Sequence, residues 1–207
     1  MTDQVIIAPT IKRVLDYWFA DIGDSFDTKP HHKRWFGGSG VVDQQIRTQF
    51  LAQVEQALAG ELSHWAETAE GMLALTILLD QFTRNIYRGT GKAFAGDNSA
   101  QVLVRQGLQC GIDQQLSIIQ RTFFYMPLMH AEDLAAQQQC MECFKQLQES
   151  APAAGKATIQ SNLDSAERHL RIIEQFGRFP YRNAALGRES TATELAYLSR
   201  GGARFGQ

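Results

Sequence analysis

The stretch VDQQIRTQFLAQVEQAL, residues 42–58, decides the fold class of this chain. Its large apolar residues recur every four positions: Val42, Ile46, Phe50, Val54 and Leu58. That spacing places them on one face of an α-helix, with polar residues on the opposite face. Gly60 follows the last of them, at a position where glycine commonly ends a helix. The pattern predicts a long amphipathic helix.

Helical spacing continues on both sides of this stretch. Upstream, residues 11–19 form another amphipathic pattern, with Thr10 as the expected N-cap. Residues 29–36 are interpreted instead as a surface charge run anchored by two core aromatics, Trp35 and Phe36. The further helices expected downstream are about residues 70–87, residues 97–110 capped by Asp97, residues 117–147 interrupted by Pro127, residues 157–176, and residues 191–198, opened by a Thr191/Glu194 capping box.

The spacing of these segments predicts the fold class. No short run alternates cleanly between turn signals, so no sheet is expected. Successive helices with short loops favour antiparallel hairpins. We therefore predict an all-α fold of about seven to nine helices, arranged as a degenerate tetratricopeptide-like array.

Length and charge limit the classes of function. The chain has 207 residues, of which 44% are hydrophobic and 20% charged, as in an ordinary globular protein. This predicts a single domain over residues 1–207, with its core at about residues 11–198. The net charge of -2 argues against nucleic acid as a partner. Residues 1–10 have no signal-peptide pattern and no apolar run reaches membrane-spanning length, so we expect no membrane partner and a cytoplasmic location.

Metal and cofactor motifs are not found. Cys140 and Cys143 form a C-x-x-C within a helical run, where small core residues are the favoured interpretation. The histidines do not pair at metal-ligand spacing: His31, His32, His64, His130 and His169. The sequence also has no H-E-x-x-H, G-x-S-x-G, P-loop or G-x-G-x-x-G motif. We therefore expect neither a metal nor a cofactor, and whether the protein is an enzyme stays open.

A polar stripe interrupts the apolar helix at residues 70–87. Asp80, Arg84 and Arg88 are spaced four residues apart, and Asn85 lies beside them. An aspartate four residues before an arginine can hold the guanidinium in place, and a fixed guanidinium suits a carboxylate or phosphate. The alternative is a salt bridge between helices or a solvated face.

Two further segments carry unusual polar residues. After Pro127, His130 and Glu132 follow an apolar run, where His130 is a general base, a ligand partner or a packed core histidine. The irregular segment 177–188 carries three arginines and an asparagine: Arg178, Arg182, Arg188 and Asn183. His169 lies about two helical turns before this segment. These arginines either clamp an anion or cap carbonyls at the end of the preceding helix.

Together these segments support a functional hypothesis with an alternative. Several polar groups in distant segments are more easily explained by one shared groove. The favoured hypothesis is therefore a groove that binds a small anionic ligand, with or without turnover in which His130 or Glu132 moves a proton. The alternative is a protein-interaction module that uses the concave face of the helical array. A purely structural charge network is the third hypothesis.

The chain resembles a bacterial family of unknown function, domain family 924. The matching stretches are VLDYWF at 14–19, WF at 35–36, and residues 78–85, 124–133 and 176–194. The resemblance implies an all-helical, tetratricopeptide-like fold and no established substrate. The family usually shows Pro at the position of Thr83 and His at the position of Tyr181. Any role that the family histidine has, including metal ligation, is therefore not expected at Tyr181.

Overall fold

A computed structural model describes residues 8–206 apart from Asp21 and Asp24. In that part of the chain there are nine helices and no strand, so the predicted all-α class and number of helices are confirmed. The helices are α1 (Pro9–Phe19), α2 (Lys29–Phe36), α3 (Gly40–Leu58), α4 (69–86), α5 (Asp97–Cys110), α6 (Ile118–Met129), α7 (Leu134–Ser150), α8 (Lys156–Phe176) and α9 (Ala192–Ser199). The tetratricopeptide-like stacking stays a prediction.

Helix ends follow the local sequence at several positions. Gly60 has φ of 78°, which suits glycine, directly after the end of α3. The Thr191/Glu194 capping box opens α9 as predicted. The predicted caps at Thr10 and Asp97 are wrong. Pro9 is the first residue of α1, so Thr10 lies inside it, and Asp97 is the first residue of α5 with its carboxylate turned to other partners.

Two segments differ from the expected pattern. Lys29–Phe36 forms helix α2, in which Trp35 is buried but Phe36 is 48% exposed. The helical stretch expected over residues 117–147, with an interruption at Pro127, is two helices, since α6 ends at Met129 and α7 begins at Leu134. Pro127 lies in the last turn of α6, and His130 is the C-cap residue directly after that turn. The break therefore follows the proline by one turn.

Helix α4 crosses the centre of the molecule. It consists of Ala69–Thr76 and Thr83–Ile86 in α-helical geometry, joined by a wider π-helical turn at Ile77–Phe82. Every residue from 71 to 84 is buried. Phe82 packs against Trp18 at 5.5 Å and Phe50 at 4.9 Å between ring centroids. Such π turns occur often at functional sites, and this one precedes Arg84.

The two cysteines of the C-x-x-C pack in the core between α6 and α7. Both are free and buried. Burial raises the pKa of Cys143 to about 12 and raises that of Cys140 as well. A thiolate is the reactive form of cysteine, and these buried thiols stay protonated near neutral pH.

Candidate functional site

A cavity of about 620 Å³ lies between α2, α4, α6 and α8. It brings together His169 of α8 and residues from two of the segments singled out in the sequence: Arg84, Asn85, Arg88 and His130. Aromatic and aliphatic side chains form one part of its lining: Trp35, Phe36, Ile119, Phe123, Met126 and Phe205. Polar side chains, mostly from α8, form another: Gln81, Thr122, Ser161, Asn162, Ser165 and Arg168. The lining of the cavity therefore combines apolar and polar side chains, as the linings of ligand sites usually do.

Asp80 and His130 form a buried pair at the wall of this cavity. His130 Nδ1 lies 2.7 Å from Asp80 Oδ1, and the Asp80 side chain is only 1% exposed. Burial alone would raise the pKa of Asp80, but the charge of Arg84 and the hydrogen bonds from His130 and Gln81 hold it well below its usual range. An ionised carboxylate can only accept, so His130 Nδ1 carries the proton of this hydrogen bond.

The imidazole of His130 is neutral near pH 7. Burial lowers its pKa, and the Arg84 guanidinium adds to this effect, against the opposing charge of Asp80. Since Nδ1 is protonated, Nε2 keeps its lone pair. The side chain retains 16% exposure and lines the cavity. An aspartate that orients a neutral histidine in this way is the arrangement of a general base.

Arg84 is bound by a second carboxylate that the sequence analysis did not place there. Its Nη1 lies 3.0 Å from Asp80 Oδ1 and 2.8 Å from Asp97 Oδ1. Asp97 Oδ2 in turn accepts from Arg182 Nη1 at 3.1 Å. The guanidinium of Arg182 is stacked between aromatic rings, 4.5 Å from the Phe179 centroid. Asp97 thus links two buried arginines, and only one of them, Arg84, lines the cavity.

Gly96 places Asp97 against Arg84. A Cβ at Gly96 would lie 2.2 Å from the carbonyl oxygen of Leu79, a backbone atom that cannot move aside cheaply. We expect Gly96→Ala to lower the free energy of unfolding by about 1–3 kcal/mol, because α5 must shift away from α4. Gly40→Ala is the matched control, since nothing lies within 4 Å of a Cβ there. Urea unfolding of both variants tests this, and an equal effect at the two sites would contradict it.

His169 lies next to His130 and is almost completely enclosed. The two rings are 5.9 Å apart, and the Phe205 ring stacks on His169 at 3.6 Å between centroids. Its Nδ1 is 2.8 Å from the carbonyl oxygen of Ser165, while its Nε2 is buried without a hydrogen-bond partner. Burial, with the neighbouring His130, lowers the pKa of His169 to about 3. This imidazole is therefore also neutral.

Four other predicted site residues, together with Glu194, form a separate cluster that does not line the cavity: Glu132, Arg178, Asn183 and Arg188. Glu132 accepts from the Phe179 amide at 2.7 Å and pairs with Arg188. Glu194 pairs with Arg178 at 2.7 Å, which holds the pKa of Glu194 at about 2. Asn183 donates to Glu194 and accepts from Arg188. This cluster fixes the segment between α8 and α9 onto the end of α6.

Of the arginines Arg88 and Arg168 at the cavity, only Arg88 forms an ion pair with a carboxylate of a described residue. Arg88 is paired with Asp43 at 2.7 Å, and Asn85 donates to the same carboxylate at 2.8 Å. Arg168 donates to the hydroxyl of Ser165 at 2.7 Å, and no carboxylate of a described residue pairs with it. Arg168 was not among the residues predicted from the sequence, and its position directly before His169 on α8 was the available signal.

A metal-ligand set is not formed by the described residues: no group of three His, Cys, Asp or Glu side chains is placed to hold an ion. Tyr181, which stands where the family usually shows His, accepts a hydrogen bond from Arg182 Nε at 3.1 Å. Within the described part of the chain, no helix has both the length and the apolar character needed to cross a bilayer.

Comparisons with known proteins agree with this fold. A solved structure from Agrobacterium tumefaciens, the protein of unknown function ATU0120, is 36% identical with a TM-score of 0.77. The match covers 93% of this chain and 98% of that one. A search of curated proteins gave no match. The model of the family described as bacterial protein of unknown function (DUF924) matches residues 14–202, and the chain belongs to that family.

Proposed function

We propose that this protein binds a small organic anion in the cavity between α2, α4, α6 and α8. The observation that carries the proposal is the charge of the lining. Three arginines line the cavity: Arg84, Arg88 and Arg168. None of the described residues that line it carries a carboxylate. Carboxylates lie behind Arg84 and Arg88, so Arg168 is the cation that a ligand would compensate.

The apolar side chains in the cavity lining favour an organic ligand over an inorganic ion. Trp35, Phe123 and Met126 present carbon surface to the space that Arg168 borders. A volume of about 620 Å³ suits a metabolite with an apolar body, and would leave an inorganic ion surrounded by water. The ligand class that fits is a carboxylate or phosphate ester with an apolar part.

Turnover of this ligand is part of the proposal, and His130 is the residue that would accept a proton from it. Its neutral Nε2 lies at the cavity, and Asp80 orients the ring. Glu132 has no such position, since both of its oxygens are held by Arg188 and the Phe179 amide. The cytoplasmic location and the alternative of a protein partner stay predictions.

Arg168→Gln tests the proposal. Thermal shift and calorimetry with 3-phenylpropionate, hexanoate and propyl phosphate should identify an anion that stabilises the wild type. We expect Arg168→Gln to weaken its binding about fivefold, equivalent to ~1 kcal/mol for an ion pair open to solvent. The unfolding temperature without ligand should not change.

Arg171→Gln is the matched control, because Arg171 is on the same helix but pairs with Glu167 outside the cavity. It should bind the anion as the wild type does. The proposal fails if no anion stabilises the wild type, or if both variants bind equally well.

A further inference from the structure

Two imidazole rings that line the cavity, those of His130 and His169, lie 5.9 Å apart between centroids. The carbonyl oxygen of Ser165 can only accept, so the hydrogen at 2.8 Å belongs to Nδ1 of His169. The ionised Asp80 imposes the same tautomer on His130. In both rings the proton is on the nitrogen that faces the protein. Each Nε2 is therefore a hydrogen-bond acceptor, and neither accepts from a described residue.

An acceptor nitrogen without a hydrogen-bond partner costs more free energy when it is buried than when it is open to solvent. His169 is 4% exposed and its Nε2 is buried without a partner, which is unfavourable for a polar atom. The His130 ring, 5.9 Å away, is more open and borders the same space. Gln81 adds a third acceptor, because its amide nitrogen already donates to Asp80 and leaves its oxygen for the cavity.

We propose that this group of acceptors selects an organic anion that carries a hydroxyl or amino group. The inference rests on the proposed function and narrows its ligand class. The anionic group would face Arg168, and the donor would face the two imidazoles, one of which follows Arg168 directly on α8. An anion without a donor would enter the same cavity but leave these acceptors unpaired.

Two pairs of probes that differ by hydroxyl groups test this inference. They are 3-phenyllactate against 3-phenylpropionate, and glycerol 3-phosphate against propyl phosphate. Calorimetry on the full chain should show the hydroxylated member binding about tenfold more tightly, equivalent to ~1.4 kcal/mol, in at least one pair. The double variant His130→Phe/His169→Phe should lose this preference while it still binds the plain member.

His32→Phe is the control, since it makes the same replacement at an exposed histidine of the cavity lining. It should keep the preference. Equal binding of both members by the wild type overturns this inference and leaves the proposed function intact. A preference that disappears when EDTA is added points to a metal bridge and also overturns it. If none of the four probes binds, the proposed function fails, and this inference fails with it.

Discussion

Asp97→Asn is expected to lower the free energy of unfolding by about 3–5 kcal/mol. Asp97 is the shared partner of Arg84 and Arg182, and these arginine side chains are only 9% and 3% exposed. Without the carboxylate charge, Arg182 loses its only ion pair among the described residues, and Arg84 keeps only Asp80. A buried charge without a partner costs more than the pair contributed. Urea unfolding followed by circular dichroism measures the difference.

Asp16→Asn is the matched control for this substitution. Asp16 pairs with Lys12 on the surface of α1, where both side chains are more than half exposed. Its replacement should change the free energy of unfolding by less than ~0.5 kcal/mol. A similar loss in the two variants would mean that the link between the buried arginines contributes nothing particular to stability.

His169 should make the protein less stable as the pH falls below neutrality. Its pKa is about 3 in the folded protein against 6.5 for the free side chain. Below pH 6.5 the unfolded chain therefore binds a proton that the folded chain does not, and stability decreases until the pH reaches the folded value. Between pH 7 and pH 5, this one group should remove roughly 2 kcal/mol from the free energy of unfolding.

His169→Phe isolates that contribution, because it keeps a ring beside Phe205 but does not titrate. The variant should lose about 2 kcal/mol less stability than the wild type between pH 7 and pH 5. Chemical unfolding at both pH values, in the same buffer series, gives the comparison. Parallel curves for the two proteins would show that His169 titrates normally in the folded state.

The helices were largely predictable from the sequence because their signals are local. Residues 42–58 repeat every four positions, and the Thr191/Glu194 box marks a helix start within four residues. Helix α2 was missed because its apolar residues are only the aromatic pair at its end. It is held by tertiary contacts instead, such as the hydrogen bond of Trp35 Nε1 to the Trp18 carbonyl at 2.9 Å. A local pattern cannot contain that contact.

The candidate site was predictable only in part. The polar stripe on α4 indicated Arg84 and Asn85, and the histidine after Pro127 indicated a second wall, and both line the cavity. The local pair of Asp80 and Arg84 was predictable from its four-residue spacing, but the pairs formed between distant segments were not. Glu132 and Arg188 are 56 positions apart in sequence, and Arg182 and Asp97 are 85 apart. Such pairs depend on how helices meet in space, so the arginines of residues 178–188 appeared unpaired in the sequence.

The burial of residues 71–84 of α4 indicates which part of the cavity lining can move. Residues 71–84 of this helix are all buried, so we expect their amides to be among the slowest in the protein to exchange with water. Gln81 and Arg84 belong to this buried stretch, so they should form the least mobile part of the cavity lining. Phe205 and Gly206 belong to a short irregular segment after α9, which rests on the cavity through a ring stack and the Arg88 side chain. Motion of the cavity lining is therefore expected in this segment rather than in α4, and hydrogen exchange measures the difference.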